Sequence, residues 1–339
     1  MYHYKNVVRV PPMGMIDDIC SISKCGTSSI VLNATINNKV ESKRLEFGAK
    51  KCFQIHVGKN SRSCPSLKVH QTRMTKTTSE RYLGDTIDQG LNHDITIQKR
   101  CNSAIGTISD ILVILSQVSQ GHQYIHIGLI MREAILVSKL LLNVEVWPKL
   151  TKALAIKFEQ TDLALQRKLL NCPVSTNFES IYSELNTMPL SIIIMKRRLM
   201  YHWNIVNRNK DELVNRIYRA QKFSQSKSDL YQLILKDKKM LKIQLTDEDL
   251  CKISKNQYKC FINEKIKIYR RIVLTEMQAS KSKSRDLNMN SNETAKYLLN
   301  NKFSLELAQL CFSLRSRTYC SKDNYRNKYK NDDIFCEAC

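Results

Sequence analysis

Two adjacent carboxylates, Asp17 and Asp18, sit in the run Met13-Gly-Met-Ile-Asp-Asp-Ile-Cys-Ser-Ile-Ser23, between two short apolar segments. The pattern predicts a β-hairpin with both acids at its tip. Such a pair suits Mg²⁺, which takes hard oxygen ligands in tight octahedral geometry. Nucleotidyl transfer uses two such ions, one to activate the attacking hydroxyl and one to hold the leaving pyrophosphate. Asp-Asp is also an ordinary turn dipeptide, because Asp caps its own backbone in tight turns. Two acids on one hairpin do not clamp two ions by themselves, so the metal reading requires a further acid.

Cysteine and histidine offer a second kind of chemistry. Cys336 and Cys339 form a Cys-x-x-Cys pair, half of the four ligands that tetrahedral Zn²⁺ demands. In a chain with twelve cysteines, a chance pair is the plain alternative. Cys52, His56, Cys64 and His70 also follow one another, but their spacing fits no common structural zinc site. They read instead as strand-core cysteine and partly exposed histidine.

The third candidate set is cationic. The chain has 54 Lys and Arg against 31 Asp and Glu, a formal net charge of +23. Residues 196–285 alone hold 23 basic and 9 acidic side chains, an excess of 14. A surplus of that size favours a polyanion, nucleic acid first and an anionic membrane second. Lys99 and Arg100, Arg167 and Lys168, and Lys196, Arg197 and Arg198 with Tyr201 and Trp203 would track a phosphate backbone, the aromatics stacking on unpaired bases. Taken one at a time, each is equally a solvated helix face or a ring covering the core. A membrane-surface protein would need an amphipathic helix with a broad apolar face, and the basic segment shows little of that. No apolar run approaches the ~18 residues of a membrane span. The start of the chain has no apolar signal-peptide core, so the cysteines read as reduced thiols. A nuclear or cytoplasmic location, without secretion, is the expectation.

The elements that must position these groups change character near Asp94. Residues 1–92 read as mixed α+β. A helix over 28–45 has apolar residues at Leu32, Ile36 and Val40 and a stop at Gly48. Strands follow at 52–57, 67–70 and 82–87. From 93 to 207 the period is helical. One face carries Ala104, Ile105, Ile108, Ile111, Leu112 and Leu115 and breaks at Gly121. Further helices span 129–146, stopped by Pro148, then 154–169, 178–185 and 190–206, together making a bundle. Residues 208–292 form a basic helical extension ending in a polar joint at 281–292. Helical spacing returns in 293–339 through Leu298, Leu299, Leu305, Ala308 and Phe312.

The ordered set of motifs resembles the C-terminal portion of the reverse transcriptase of LINE-type retrotransposons, those without long terminal repeats. The Asp-Asp hairpin, a helix, the lysine-rich turn and strand Gly48-Ala-Lys-Lys-Cys-Phe-Gln-Ile-His-Val-Gly58, and Tyr82-Leu-Gly84 are similar to the second half of its palm. Ile97-Gln-Lys-Arg100, Arg132-Glu-Ala-Ile135 and Asn143-Val-Glu-Val-Trp147 resemble its helical thumb. Met188-Pro-Leu and Lys196-Arg-Arg-Leu-Met200 resemble the region after it. Leu314-Arg-Ser-Arg317, Asn324-Tyr-Arg-Asn-Lys-Tyr-Lys330 and Cys336-x-x-Cys339 resemble the approach to the zinc knuckle in the branch with a C-terminal restriction-like endonuclease. The resemblance runs over nearly the whole chain.

It implies an α+β fold: part of a palm followed by an α-helical thumb and extension. Asp17, with Asp18 beside it, would be the Mg²⁺-binding acid. Lys50 or Lys51 would lie near the incoming triphosphate, and Tyr82, Leu83 and Gly84 in the primer grip. Lys99, Arg100, Arg132, Lys196, Arg197 and Arg198 would contact an RNA template, an RNA–DNA hybrid or a DNA primer. Cys336 and Cys339 would be half of a Zn²⁺ site. The family usually has an aromatic residue where this chain has Met15, and its fingers and first palm Asp have no counterpart in these residues. The expectation is therefore a fragment of an RNA-directed DNA polymerase, or a catalytically inactive nucleic-acid-binding remnant.

Overall fold

The chain is α+β, mostly helical with short strands. A computed structural model describes residues 13–15, 18–20, 26–44, 48, 51–57, 65–69, 72–82, 84–90, 93–118, 121–147, 150–223, 229–280, 293–316 and 318. In chain order the first elements are β1 (Met13–Met15), β2 (Asp18–Cys20), α1 (Gly26–Ser42), β3 (Phe53–Ile55), β4 (Lys68–Val69), β5 (Thr72–Arg73), β6 (Thr75–Thr77), β7 (Ser79–Tyr82) and β8 (Asp85–Asp88). Then come α2 (Asp94–Leu115), α3 (Gly121–Met131), a π-helical segment (Arg132–Val137), α4 (Ser138–Leu140), α5 (Lys152–Leu169), α6 (Phe178–Glu184), α7 (Leu190–Val206), α8 (Leu213–Gln221), α9 (Leu230–Met240), α10 (Asp247–Lys252), α11 (Lys255–Ser280) and α12 (Leu305–Arg315). Among the described residues no helix is long and apolar enough to cross a membrane. The residues group into two units, 1–98 with 209–223, and 99–208 with 224–339.

Among the described residues the first unit contains four two-stranded ladders. β1 and β2 pair antiparallel with Met15 opposite Asp18, as the hairpin reading expects. Asp17 lies outside the described residues, and Asp18 opens the return strand. β3 pairs parallel with β6, Phe53 opposite Thr75, and β4 antiparallel with β5. The Asn33 and Asn37 side chains of α1 donate to the Lys68 carbonyl at 2.6 and 3.1 Å, which seats the helix against β4. The Gln54 amide imitates a strand neighbour, donating to Pro65 O at 2.8 Å and accepting from Leu67 N at 3.2 Å. Two expectations need correction. α1 ends at Ser42, with Arg44 in the left-handed region (φ 56°), well before Gly48. Residues 82–87 are not one strand. They turn between β7 and β8, Tyr82 opposite Asp85, because Gly84 adopts φ 87°, a conformation open to glycine at no steric cost.

The second unit is helical. On α2 the buried row is Ile97, Cys101, Ala104, Ile108, Ile111 and Leu115, while Ile105 is 60% exposed and not part of the core face. Helix runs without a break from Gly121 to Leu140, and its π-helical middle offsets the buried row by the residue that each wide turn adds. Ile125, Leu163, Leu170, Ile181, Leu185, Leu298 and Phe312 form one buried cluster joining α3, α5, α6 and α12. A second layer packs α7 against α9, α10 and α11 through buried Leu233, Ile234, Leu250, Tyr258, Ile262 and Ile266. The basic segment after Asn207 is thus largely packed helix.

Gly121 opens α3 after the α2 face has ended at Leu115, and the chain makes a close approach there. A Cβ at Gly121 would stand 2.4 Å from the Leu305 backbone nitrogen and 2.7 Å from its Cα. Gly121→Ala is expected to lower stability by about 1–3 kcal/mol, the usual cost of overpacking. Alanine's better helix propensity, at most ~1 kcal/mol, does not offset it. Urea unfolding followed by circular dichroism measures the difference; an unchanged midpoint would refute the contact.

Candidate nucleic-acid interface

α7 sorts its residues onto two faces. Leu190, Ile194, Arg198, His202 and Ile205 fall on the buried side at helical spacing. Ile193, Lys196, Arg197, Met200, Tyr201 and Asn204 are half-buried on the other. Together with Glu145 from the 3₁₀ turn Val144–Val146, those six side chains line an open cleft of about 410 Å³. Its lining combines apolar Ile193 and Met200, the Tyr201 ring, the Lys196 and Arg197 cations and the Glu145 carboxylate. Sequence reasoning missed Glu145, Ile193, Met200 and Asn204, although the last three recur at the three- and four-residue steps of the α7 stripe.

The electrostatics follow from crowding. The Lys196 ammonium is held below its usual range, first by burial and next by Lys259 on α11, with Glu133 opposing both. The Lys196–Lys259 proximity was not legible, since the two are brought together only by the packing of α7 on α11. Arg197 donates to the Leu141 carbonyl at 2.6 Å, at the C-cap of α4, and still lines the cleft. Burial raises the Tyr201 hydroxyl; Arg208 draws it down and Glu145 pushes it up.

The remaining sequence candidates divide sharply. Arg132, Arg100 and Arg198 are buried, at 0%, 8% and 8% exposure, and each is engaged inside the fold. The Arg132 guanidinium is committed to Asp162, at 2.9 Å from Nε to Oδ1 and 2.6 Å from Nη2 to Oδ2, to Glu133, and to the Met188 carbonyl. Arg100 donates to the carbonyls of Leu140 and Leu142 and lies 4.9 Å over the Trp147 ring. Arg198 pairs with Asp237 at 2.8 Å. Trp203 is taken up by the fold through Nε1 to the Ile253 carbonyl, 3.1 Å. Lys99 is exposed on α2, and Lys168 on the last turn of α5.

In the first unit Lys51 is exposed and Tyr82 half-buried at the end of β7. Cys52 gives its thiol to the Gly48 carbonyl at 3.5 Å, and burial raises its pKa. Asp17, Lys50, Leu83, Cys64, His70, Cys336 and Cys339 lie outside the described residues, and for Asp18 only the strand backbone is described. Among the described residues no three His, Cys, Asp or Glu side chains gather as a metal site.

No family model matches the chain, and no curated protein or solved structure matches it either.

Proposed function

We propose that this chain binds nucleic acid through the cationic faces of α7 and α11, as the template–primer grip of a LINE-type reverse transcriptase. In that reading Asp17 and Asp18 on the β1–β2 hairpin would hold Mg²⁺ for nucleotidyl transfer. The observation that carries the binding claim is the placement of Lys196, Arg197 and Lys259. Lys196 and Arg197 line one cleft on α7, and Lys259 of α11 adds to the lowering of Lys196 that burial begins. A phosphate seated there would offset the repulsion between the two lysines. Lys255, Lys267 and Arg271 are exposed along the same helix, and the net charge of +23 gives the long-range attraction.

Fluorescence anisotropy with a labelled RNA–DNA hybrid across a salt series tests this. Each neutralised phosphate contributes roughly 0.9 to the slope of log affinity against log salt. Lys196→Gln/Lys259→Gln should therefore flatten the slope by about two, while Asp17→Ala/Asp18→Ala leaves it unchanged. A slope unaltered by the lysine pair would refute the interface. For the catalytic part, Mg²⁺-dependent primer extension abolished by Asp17→Ala/Asp18→Ala is the expected result; binding without extension would reduce the chain to a grip.

A further inference from the structure

The α7 cleft has more chemistry than phosphate neutralisation requires. A duplex can be gripped by cations on an exposed face, because phosphates lie outside and every base face is covered by its neighbours. Here a tyrosine, apolar Ile193 and Met200 and the Glu145 carboxylate line the same cleft as the cations. A phosphate is repelled by that carboxylate, so Glu145 has no use in a backbone track. An unpaired base uses all of it.

We propose that this cleft takes one unpaired nucleotide of a single strand, its phosphate on Lys196 and Arg197, its base against Tyr201 and its exocyclic amine on Glu145. The proposal rests on the nucleic-acid reading above and adds the state and identity of the base. Aromatic rings stack on any base because every base has a π-face, so Tyr201 gives affinity for unpaired strands without choosing among them. The choice comes from Glu145. An ionised carboxylate only accepts hydrogen bonds. Cytosine presents its N4 amine as a donor, whereas uracil presents O4, an acceptor, in the same place. Among pyrimidines the cleft therefore prefers cytosine. Arg208, the other charge acting on Tyr201, is exposed at the end of the stripe and extends the path for the neighbouring phosphate.

The test is competition anisotropy on the full chain with short oligocytidylate, oligouridylate and an RNA–DNA hybrid. Oligocytidylate is expected to bind about tenfold more tightly than oligouridylate, a modest value for one amine contact. Tyr201→Ala should weaken both single strands about tenfold and leave the hybrid unchanged, with Tyr201→Phe retaining affinity. Glu145→Gln should erase the cytosine preference, because an amide can donate to O4. Free cytidine monophosphate should compete only at far higher concentration; full competition would make the cleft a mononucleotide site and overturn the strand claim. Equal losses on hybrid and single strand in Tyr201→Ala would show that the ring merely packs, and equal affinity for the two oligomers would remove the role of Glu145. In either case an intact salt slope on the hybrid leaves the broader reading standing; no binding to any probe overturns both.

Discussion

Arg132→Met is expected to cost the helical unit about 3–5 kcal/mol at neutral pH, the range for breaking one side of a buried ion pair. Arg132 and Asp162 are both fully buried. Their two parallel hydrogen bonds are extended by Gln166, which donates to Asp162 Oδ2 at 2.8 Å, and by Thr187, which donates to Gln166 at 2.5 Å. Glu159 closes the surround, accepting from the Tyr182 hydroxyl at 2.7 Å and from the Leu190 and Ser191 amides. Removing the guanidinium leaves a carboxylate in a dry site with Gln166 as its remaining side-chain donor, and the Met188 carbonyl loses a partner too. Urea unfolding should show the deficit. Removing both charges with Arg132→Met/Asp162→Leu should cost less than the two single losses added together, because contacting partners are not additive. A double variant as unstable as that sum would mean the pair is not the source of the effect.

The same site has a pH signature. Burial pushes Asp162 up to about 6 despite the attraction of Arg132. A raised carboxyl favours the protonated form in the folded state. Its contribution to stability is thus complete below the ordinary value of 3.8 and is lost as pH rises through about 6. In Arg132→Met the lowering attraction is gone, so the carboxyl rises further and keeps its proton longer. The gap between the variant and the parent protein should therefore be small in mild acid and widen above about 6. Stability curves at several pH values measure it; a constant gap would assign the loss to packing alone.

These residues also show where the sequence was legible. The 3.6-residue period gave α7 its bounds, and the short apolar flanks gave the β1–β2 hairpin. β5 and β6 escaped notice because Thr72, Arg73, Thr75, Lys76 and Thr77 are polar on both faces, leaving no alternation to read. The burial of the three arginines escaped notice for a different reason. A cation on a helix looks the same in sequence whether it meets a phosphate or a carbonyl some forty residues away. Yet each falls in a row of buried neighbours: Ile97, Arg100 and Ala104; Ile125, Arg132 and Leu136; Ile194, Arg198 and His202. Register with the apolar row was the available signal. Lys196, Arg197 and Tyr201 lie off that row and line the α7 cleft. Their meeting with Glu145 and Lys259 depends on tertiary packing that no local pattern encodes.

Trp147→Ala is expected to destabilise the helical unit by a further ~3–5 kcal/mol, the range for removing a buried aromatic ring, and its consequence reaches Arg100. Trp147 is 1% exposed, with the Phe158 ring 6.0 Å away. Arg100 lies over this ring and donates to the carbonyls of Leu140, the last residue of α4, and of Leu142 just beyond it. A planar cation fits both partners, satisfying the carbonyls along its edge and the ring with its face. Arg100→Lys keeps the charge and loses that geometry, so it should destabilise the fold while leaving the salt slope for nucleic acid unchanged. Lys196→Gln/Lys259→Gln should do the reverse, flattening the slope with little effect on unfolding. If Arg100→Lys instead altered the slope in fully folded protein, the division between cations that hold this fold and cations that grip a strand would fail. If the two sets separate, then much of the positive charge serves helix ends and buried acids, and the strand contact narrows to the α7–α11 face.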